Sequence, residues 1–292
     1  MPMLKRVLNP NEQFIIFVST RIIAGLSIFP LICILITYFR CHVKKNFALA
    51  LHIQLLITQV IGASTYLFPI IDNENESHKI LCHSQVTMKI FSIINTNLLI
   101  ILTLLSSYIE FFNLKNFKYN TLTYKVVSCV LCWVISITVS FLFLLDDLTY
   151  NKSQSGICES SNLNSQFVLL GPITFLTLFS NLIICRLMKL VKVKNTNLNK
   201  GISIKVLKRL ILYNLPIMLT FLLMLLAIVG KYVAYPFIIV FIFENCWASL
   251  GCIYIVLFCF DGSVIEEVKK LLCCNKKKEE NTNEVAPLLP EV

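Results

Sequence analysis

The sequence predicts an all-α membrane protein, a seven-transmembrane helix bundle followed by a C-terminal amphipathic helix. Of 292 residues, 14% are charged and 57% are hydrophobic, whereas soluble domains average about 25% charged residues. Seven apolar runs follow one another, and about 20 apolar residues cross a hydrocarbon core of ~30 Å. After the last run the pattern becomes amphipathic. These observations favour a bundle that spans the membrane, with a surface helix at its end.

Each run is a candidate span. The runs cover residues 14–39, 47–71, 84–112, 124–145, 166–190, 207–230 and 236–260. Connections between them are short and leave no room for a separate soluble domain. We therefore divide the chain into an extracellular N-terminal segment, a helical body, a surface helix and a cytoplasmic tail: 1–13, 14–260, 261–274 and 275–292.

The surface helix follows a break at Asp261, Gly262 and Ser263. Beyond the break, apolar residues recur at i, i+4, i+7 and i+8, the spacing of an amphipathic helix on a membrane surface: Val264, Val268, Leu271 and Leu272. Cys273 and Cys274 precede three lysines, so acylation beside a basic patch is expected to anchor this helix to lipid. The alternative is two inert cysteines beside a solvated charge run.

Lysine and arginine concentrate in the connections after the first, third and fifth runs. Basic connections stay in the cytoplasm, so the N-terminus is expected outside and the C-terminus inside a multi-pass plasma-membrane protein. The formal charge of +10 then reflects this bias, and no nucleic-acid partner is expected. Two N-x-S/T sequons, at Asn75 and Asn151, fall in loops assigned to the outside and are expected to carry glycans.

Two cysteines, Cys82 and Cys158, lie outside the membrane on the outer face. In an oxidising exterior they are expected to pair and to tie the second outer loop over the bundle, the alternative being two free thiols. No cysteine or histidine cluster has metal-ligand spacing. Neither a metal nor a cofactor is expected.

Several stretches resemble a known family. They are Gly171-Pro172 with Ser180-Asn181, Arg209 seven positions before Pro216, the exit Leu257–Val264, Trp247-Ala248-Ser249, and Leu131-Cys132-Trp133. These residues resemble the secretin-like seven-helix G-protein-coupled receptors together with the slime-mould cyclic-AMP receptors. The resemblance implies a heterotrimeric G protein as partner. Lys205, Lys208 and Arg209 would present a basic surface to it, although a positive-inside excess explains them equally. Residues 1–13 are too short for a hormone-binding domain, which favours a small extracellular ligand.

His52 and Glu110 are similar to the histidine and glutamate of the family's polar lock. By residue count His52 lies ~8 Å and Glu110 ~3 Å inside the cytoplasmic edge. The lock would hold the helices closed on that side. In the alternative, Glu110 extends to water and His52 bonds to backbone.

This lock departs from the family's pattern, because Ile211 and Phe258 replace its threonine and tyrosine. Tyr254 or Tyr213 is the candidate substitute. Pro216 removes a backbone hydrogen bond and is expected to kink the sixth span, which suits a helix that swings outward on activation.

Charged residues in the outer half of the spans are costly and mark function or a partner: Arg21, Lys89 and Glu244. At 1.5 Å per residue Arg21 lies ~10 Å and Glu244 ~12 Å below the outer edge, so an ion pair between them is favoured over a ligand role. Lys89 is then the candidate for an anionic ligand group, unless it extends to the outer edge. Asn95 and Asn245 form interhelical hydrogen bonds or line a pocket.

Taken together, these features predict a G-protein-coupled receptor for a small, anionic extracellular ligand. A polytopic transporter or channel is the alternative, although polar groups are too sparse to line a whole path. An enzyme is not expected, because His52 and Glu110 alone are too few residues to form a catalytic site. Residues 284–289 resemble an acidic dileucine signal, a weak hint of endosomal cycling.

Overall fold

The computed structural model describes residues 9–40, 47–68, 76–112, 122–145, 150–152, 158–160, 163–194, 215–216, 218–223, 225–226, 229 and 236–260. This part of the chain is almost entirely helical. Its α-helices are α1 Pro10–Arg40, α2 Phe47–Ser64, α3 Glu76–Phe112, α4 Leu122–Leu145, α5 Leu163–Lys194, α6 Phe237–Ala248 and α7 Leu250–Phe260. Almost all of the residues described between 215 and 229 are also helical.

Two small elements complete this part of the chain. A 3₁₀ turn at Thr65–Leu67 extends α2. Strands β1 Tyr150–Lys152 and β2 Cys158–Ser160 pair antiparallel, with Lys152 opposite Cys158. The hairpin lies between α4 and α5 in the chain.

Three helical stretches are long and apolar enough to cross a membrane: Pro10–Ile36, Ala50–Leu67 and Ile80–Ser106. The pair α6 and α7 becomes a fourth if the bent pair is one span. Shorter apolar stretches occupy Val126–Leu142 of α4 and Ile173–Arg186 of α5. The predicted helical fold is therefore confirmed, with three or four candidate membrane spans, and the seven-span bundle stays a prediction.

Helix α3 is the centre of the packing. It contacts α2, α4 and α5, whereas α1 packs on α2, α6 and α7. In the apolar stretch of α3, 67% of the residues are buried, against 28% for α1. Valines and leucines on the outer face of α4 are exposed, as lipid-facing residues are. A buried helix ringed by half-exposed ones is the arrangement expected of a bundle in a bilayer.

The core has two clusters, one at each end of the bundle. The disulfide-end cluster contains Ala24, Tyr66, Cys82, Val86, Ile90, Ile93, Ile94, Cys158, Ile173, Leu223, Trp247 and Ala248. The opposite-end cluster contains Leu31, Leu51, Leu55, Leu56, Leu99, Ile100, Ile101, Leu104, Cys132, Ile183, Ile184 and Tyr254. Both clusters draw on α1, α3 and α5, so these helices supply both ends.

Four helices begin before the apolar runs that predict them, and the differences are largest for α1, which starts at Pro10, and α3, which starts at Glu76. A polar turn that continues a helix out of the membrane is invisible to a search for apolar runs. Several predictions fall outside the described residues: the surface helix 261–274 and its tail, Asn75, Lys205, Lys208, Arg209, Cys273 and Cys274. The backbone of Asn151 lies in β1 and that of Glu110 in α3, but their side chains are outside the description.

Candidate functional site

A small cavity lies between α2, α3 and the junction of α6 with α7. Its volume is about 30 Å³, which is room for about two water molecules. The lining residues are Gln59, Gly62, Ala63, Tyr66, Lys89, Ser92, Ile93, Trp247, Ala248, Leu250 and Gly251. We call this space the Lys89 cavity. It combines apolar and aromatic walls with a few polar groups, the composition of small-molecule sites.

Lys89 is held at the cavity by two aromatic rings. Its Nζ lies 5.5 Å from the ring centroid of Tyr66 and 5.3 Å from that of Trp247. Both rings are buried, Tyr66 at 4% and Trp247 at 5% exposure. Cations are attracted to ring faces within about 6 Å, most strongly where water is excluded. The ammonium of Lys89 therefore lies near the 3₁₀ turn and α6.

The wall opposite Lys89 is a broken helix. Helix α6 ends at Ala248, α7 begins at Leu250, and the two axes meet at 55°. Ser27 on α1 supports the break, because its Oγ donates to the carbonyl of Ala248 at 3.3 Å and lies 3.0 Å from the Cys252 Sγ. A Cβ on Gly251 would come within 3.1 Å of side-chain carbons of Ser27 and Leu31. Glycine at this position lets α1 approach the bend closely.

A layer of side-chain hydrogen bonds joins α2 to α3 beside the cavity. Gln59 Nε2 donates to Thr96 Oγ1 at 2.7 Å. Asn95 Nδ2 donates to Thr58 Oγ1 at 2.7 Å, and Asn95 Oδ1 accepts from Ser136 Oγ on α4 at 3.3 Å. Asn95 is fully buried and is not among the cavity-lining residues. The structure thus gives Asn95 interhelical hydrogen bonds, and its contact with a ligand stays a prediction.

The same layer reaches α4 by a second route. Trp133 Nε1 donates to Gln54 Oε1 at 2.8 Å, and the Trp133 ring lies 5.2 Å from that of Phe91. Ser92 Oγ donates to the carbonyl of Thr58 at 3.1 Å. Polar groups in a membrane interior stabilise helix pairs when they bond across them. The layer therefore fixes α2, α3 and α4 beneath Lys89.

The β-hairpin is fastened to α3 near the cavity. Cys82 and Cys158 form a disulfide with their Cα atoms 5.4 Å apart, which confirms the predicted pairing. Gln85, 1% exposed, donates from Nε2 to the carbonyl of Thr65 at 2.6 Å and accepts from the N–H of Cys158 at 3.1 Å. The hairpin is thus tied to both α3 and the end of α2. Sequence reasoning missed Gln85, although its place one helical turn after Cys82 was a usable signal.

Arg21 has partners other than those expected. Its guanidinium donates to the carbonyls of Phe17 at 3.0 Å and Phe68 at 3.3 Å, and lies 3.2 Å from the Phe17 ring centroid. Neither contact involves Glu244. The carbonyl of Phe68, just beyond the 3₁₀ turn, lies within reach of α1. The ion pair between Arg21 and Glu244 stays a prediction.

Glu244 and Asn245 are buried near the middle of the last apolar run, at 3% and 9% exposure. Asn245 Nδ2 donates to the carbonyl of Phe241 at 2.7 Å. Its Oδ1 has no hydrogen-bond partner among the described residues, and the same is true of Oδ1 on Asn97. Asn245 does not line the Lys89 cavity. Its predicted contact with ligand therefore stays a prediction.

The proposed switch residues lie towards the opposite end. His52 is 2% and Tyr254 1% exposed, and Tyr254 belongs to the opposite-end cluster. Pro216 is buried, and its carbonyl accepts from Thr220 Oγ1 at 2.7 Å. Because the side chain of Glu110 is not described, a lock with His52 stays a prediction.

The fold and site define a class: a helical protein with candidate membrane spans and a half-buried lysine beside a small cavity, near a disulfide-linked hairpin. No protein-family model matches the chain, and no curated protein matches it. What the protein does is therefore argued from the chemistry of the Lys89 cavity.

Proposed function

We propose that the chain is a seven-transmembrane, G-protein-coupled receptor of the plasma membrane that binds a small extracellular ligand in the Lys89 cavity. The observation that carries this proposal is the ammonium of Lys89, held between Tyr66 and Trp247 beside polar Gln59 and Ser92. A charge inside a membrane span is expensive, and by default it marks a function. Here that charge lies on the wall of a cavity.

The position of the cavity supports a ligand that arrives from outside. The disulfide and the Gln85 bonds place the hairpin at the same end of α3 as Lys89. Disulfides persist in oxidising exteriors, so this end faces outward in the proposed topology. The seven-span arrangement adds the segments around α4, α5 and 215–229 to the spans already long enough.

The size of the cavity supports a two-state receptor. About 30 Å³ is room for about two water molecules and is too small for a whole organic ligand. A ligand would therefore bind a second, more open conformation and increase its population. The break beside the cavity between α6 and α7 is a place where the helices could rearrange.

On the cytoplasmic side, the proposal assigns the output to the base of the sixth span. Lys205, Lys208 and Arg209 would contact the G protein when Pro216 lets that span swing outward. His52, Glu110 and Tyr254 would hold the closed state. The amphipathic helix after Phe260 would rest on lipid.

The test is a ligand-panel screen of the full chain in membranes with heterotrimeric G proteins, read as nucleotide exchange. An agonist should stimulate exchange, and Lys89→Gln should raise its half-maximal concentration by about tenfold or more, as loss of a charged contact does. Met88→Leu is the matched control, since Met88 is the 39% exposed neighbour of Lys89. If an agonist has the same half-maximal concentration for the Lys89→Gln variant as for the parent chain, the proposal that the ligand binds in the Lys89 cavity is wrong.

A transporter is the second candidate, and the 55° break favours it. Discontinuous helices near the middle of the membrane bind substrates and ions in many transporters, and this break borders the cavity through Ala248 and Leu250. Reconstituted vesicles that accumulate solute without any G protein, together with absence of exchange on every G protein tested, would establish the transporter instead.

A further inference from the structure

We propose that Gln85 is a positioning residue, which couples the β-hairpin to the ammonium of Lys89 through the backbone of Tyr66. A movement of the hairpin then changes the site where the ligand is proposed to bind. The inference rests on the proposed function, because it names how the Lys89 cavity is regulated. Three contacts support it: from the hairpin to Gln85, from Gln85 to the 3₁₀ turn, and from that turn to the ammonium.

The first contact joins Gln85 to the hairpin. Cys158, in β2, is 1% exposed, and its backbone N–H donates to Gln85 Oε1 at 3.1 Å. Cys158 also forms the disulfide with Cys82, which lies three residues before Gln85 on α3. Residues three apart share a helix face, so the disulfide and the hydrogen bond hold β2 against one face of α3. A displacement of β2 therefore acts on the Gln85 amide.

The second contact joins Gln85 to the 3₁₀ turn. Gln85 Nε2 donates to the carbonyl of Thr65 at 2.6 Å. That carbonyl and the N–H of Tyr66 belong to one planar peptide unit, so the bond fixes the backbone from which the Tyr66 side chain projects. Thr65 and Tyr66 are 1% and 4% exposed, and buried backbone carbonyls are nearly always paired. Loss of the Gln85 amide would take this donor from the carbonyl.

The far side of the turn is held from α1. The Arg21 guanidinium donates to the carbonyl of Phe68 at 3.3 Å, whereas Gln85 bonds the first residue of the turn. The backbone that carries Tyr66 is therefore held on both sides. Because the Phe68 side is fixed, a displacement that Gln85 transmits to Thr65 changes the direction of the Tyr66 ring.

The third contact joins Tyr66 to Lys89. Lys89 lies four residues after Gln85 on α3, hence on the same face and one turn further along. Its Nζ lies 5.5 Å from the ring centroid of Tyr66, and the attraction of a cation to a ring requires a place over the ring face within about 6 Å. Tyr66 also lines the cavity. A displacement of this ring therefore changes both the hold on the ammonium and the shape of the cavity.

The chemistry of the two backbone partners requires an amide between them. The N–H of Cys158 only donates and the carbonyl of Thr65 only accepts, so the side chain of Gln85 must do both. Methionine has a similar length but no donor. Asparagine keeps the amide on a side chain that is one carbon shorter. These two substitutions therefore separate the hydrogen bonds from the bulk of the side chain.

The test follows Lys89 by NMR in the purified full chain, with its lysines ¹³C-dimethylated and the protein in lipid nanodiscs. Methyl groups beside the Tyr66 and Trp247 rings experience ring currents, and Lys89→Arg identifies the resonance by its loss. Gln85→Met should move this resonance towards those of exposed lysines. Gln85→Asn should move it in the same direction. A resonance that both variants leave in place contradicts the inference.

Two controls separate positioning from a general loss of stability. Asn95→Ala removes interhelical hydrogen bonds but should leave the Lys89 resonance in place, because those bonds lie outside the path from the hairpin. Met88→Leu changes the 39% exposed neighbour of Lys89 and should also leave it in place. A shift in Asn95→Ala as large as that in Gln85→Met would show that any destabilised chain gives this signal, and the inference would be wrong.

A double-mutant cycle tests the contribution of the hairpin. Cys82→Ser removes the disulfide and should move the Lys89 resonance when Gln85 is present. In the Gln85→Met chain the same change should have little effect, because the path is already broken. Additive shifts overturn the inference. Reduction of the disulfide in the parent chain gives the same test without any substitution, so the outcome does not depend on whether the variants fold: a resonance that reduction leaves unchanged also overturns the inference.

These spectra contain neither ligand nor G protein, so they separate the two proposals. A Lys89 resonance that follows Gln85 and the disulfide, together with absence of nucleotide exchange for every ligand tested, overturns the receptor and leaves the inference standing. In the exchange assay, Gln85→Met should raise the half-maximal concentration of an agonist by less than Lys89→Gln does, because the charge stays. An agonist that is weakened by Lys89→Gln but unaffected by Gln85→Met leaves the receptor standing and overturns the inference.

Discussion

The two ends of the bundle are built differently from the same helices. The opposite-end cluster is mainly leucine and isoleucine, with Leu99, Ile100 and Leu104 almost fully buried. The disulfide end holds Lys89, a cavity, a broken helix and a covalently fastened hairpin. In a membrane, helices associate by close packing and hydrogen bonds and not by exclusion of water. The opposite end is therefore closely packed. The disulfide end is packed less closely around Lys89 and the cavity, and the disulfide and the hairpin stabilise it.

Among the changes that test this difference between the two ends, loss of the disulfide should lower stability the most. Cys82→Ser or Cys158→Ser should destabilise the hairpin end by about 2–5 kcal/mol, as removal of a native disulfide does, and should sharply lower surface expression. The double variant should be no worse than either single one, because both remove the same bond. Flow cytometry of a surface tag measures expression, and unfolding of the purified chain measures stability. Additive losses would contradict a shared role.

The second-largest effect is expected from a substitution that creates a cavity at the opposite end of the bundle. Leu99→Ala should lower the free energy of unfolding by at least about 2 kcal/mol, because Leu99 is 1% exposed and its side chain leaves a void. Leu26→Ala is the control, since Leu26 is 65% exposed and should change stability by less than about 0.5 kcal/mol. Equal effects in a detergent unfolding assay would show that this end is not packed as described.

Adding a methyl group at Gly251 tests whether α1 packs closely against the bend between α6 and α7. Gly251→Ala should destabilise by about 1 kcal/mol, because the added Cβ would lie within 3.1 Å of carbons on Ser27 and Leu31. Gly25→Ala meets nothing within 4 Å and should be neutral or stabilising, as alanine is the better helix former. A Gly251→Ala variant as stable as Gly25→Ala would mean that α1 does not brace the bend.

The smallest effect is expected in the hydrogen-bond layer. Asn95→Ala should cost about 1 kcal/mol, the usual value for an interhelical bond in membranes, because it removes the bonds to Thr58 and Ser136. Its ligand response should keep the half-maximal concentration of the parent chain. A large change in that half-maximal concentration with no change in stability would show that Asn95 contributes to ligand binding.

The sequence predicted the helices well where apolar runs are long. It also predicted the disulfide, because only Cys82 and Cys158 fell on the outer face. It did not predict the break at Ser249, since Trp247 to Gly251 contains no proline and the run looks continuous. A hydropathy pattern records how apolar a stretch is and not whether it is straight.

The site was predicted only in part. Lys89 was singled out because charge in a span is rare, but its aromatic neighbours Tyr66 and Trp247 come from other helices. Arg21 was assigned to Glu244 from depth, which could not predict that its guanidinium also bonds to the carbonyls of Phe17 and Phe68. Gln59 and Gln85 look alike in sequence, yet one borders the cavity and the other fastens the hairpin.

The bend at Ser249 borders the Lys89 cavity, so a change in the angle between α6 and α7 would move the far end of α7. Helix α7 has 11 residues and is therefore ~16 Å long. Opening the 55° angle by ~10° would carry the far end of α7 through ~3 Å. If the proposed receptor is correct, a ligand that displaces Trp247 by a fraction of that distance would produce a larger displacement at the far end of α7.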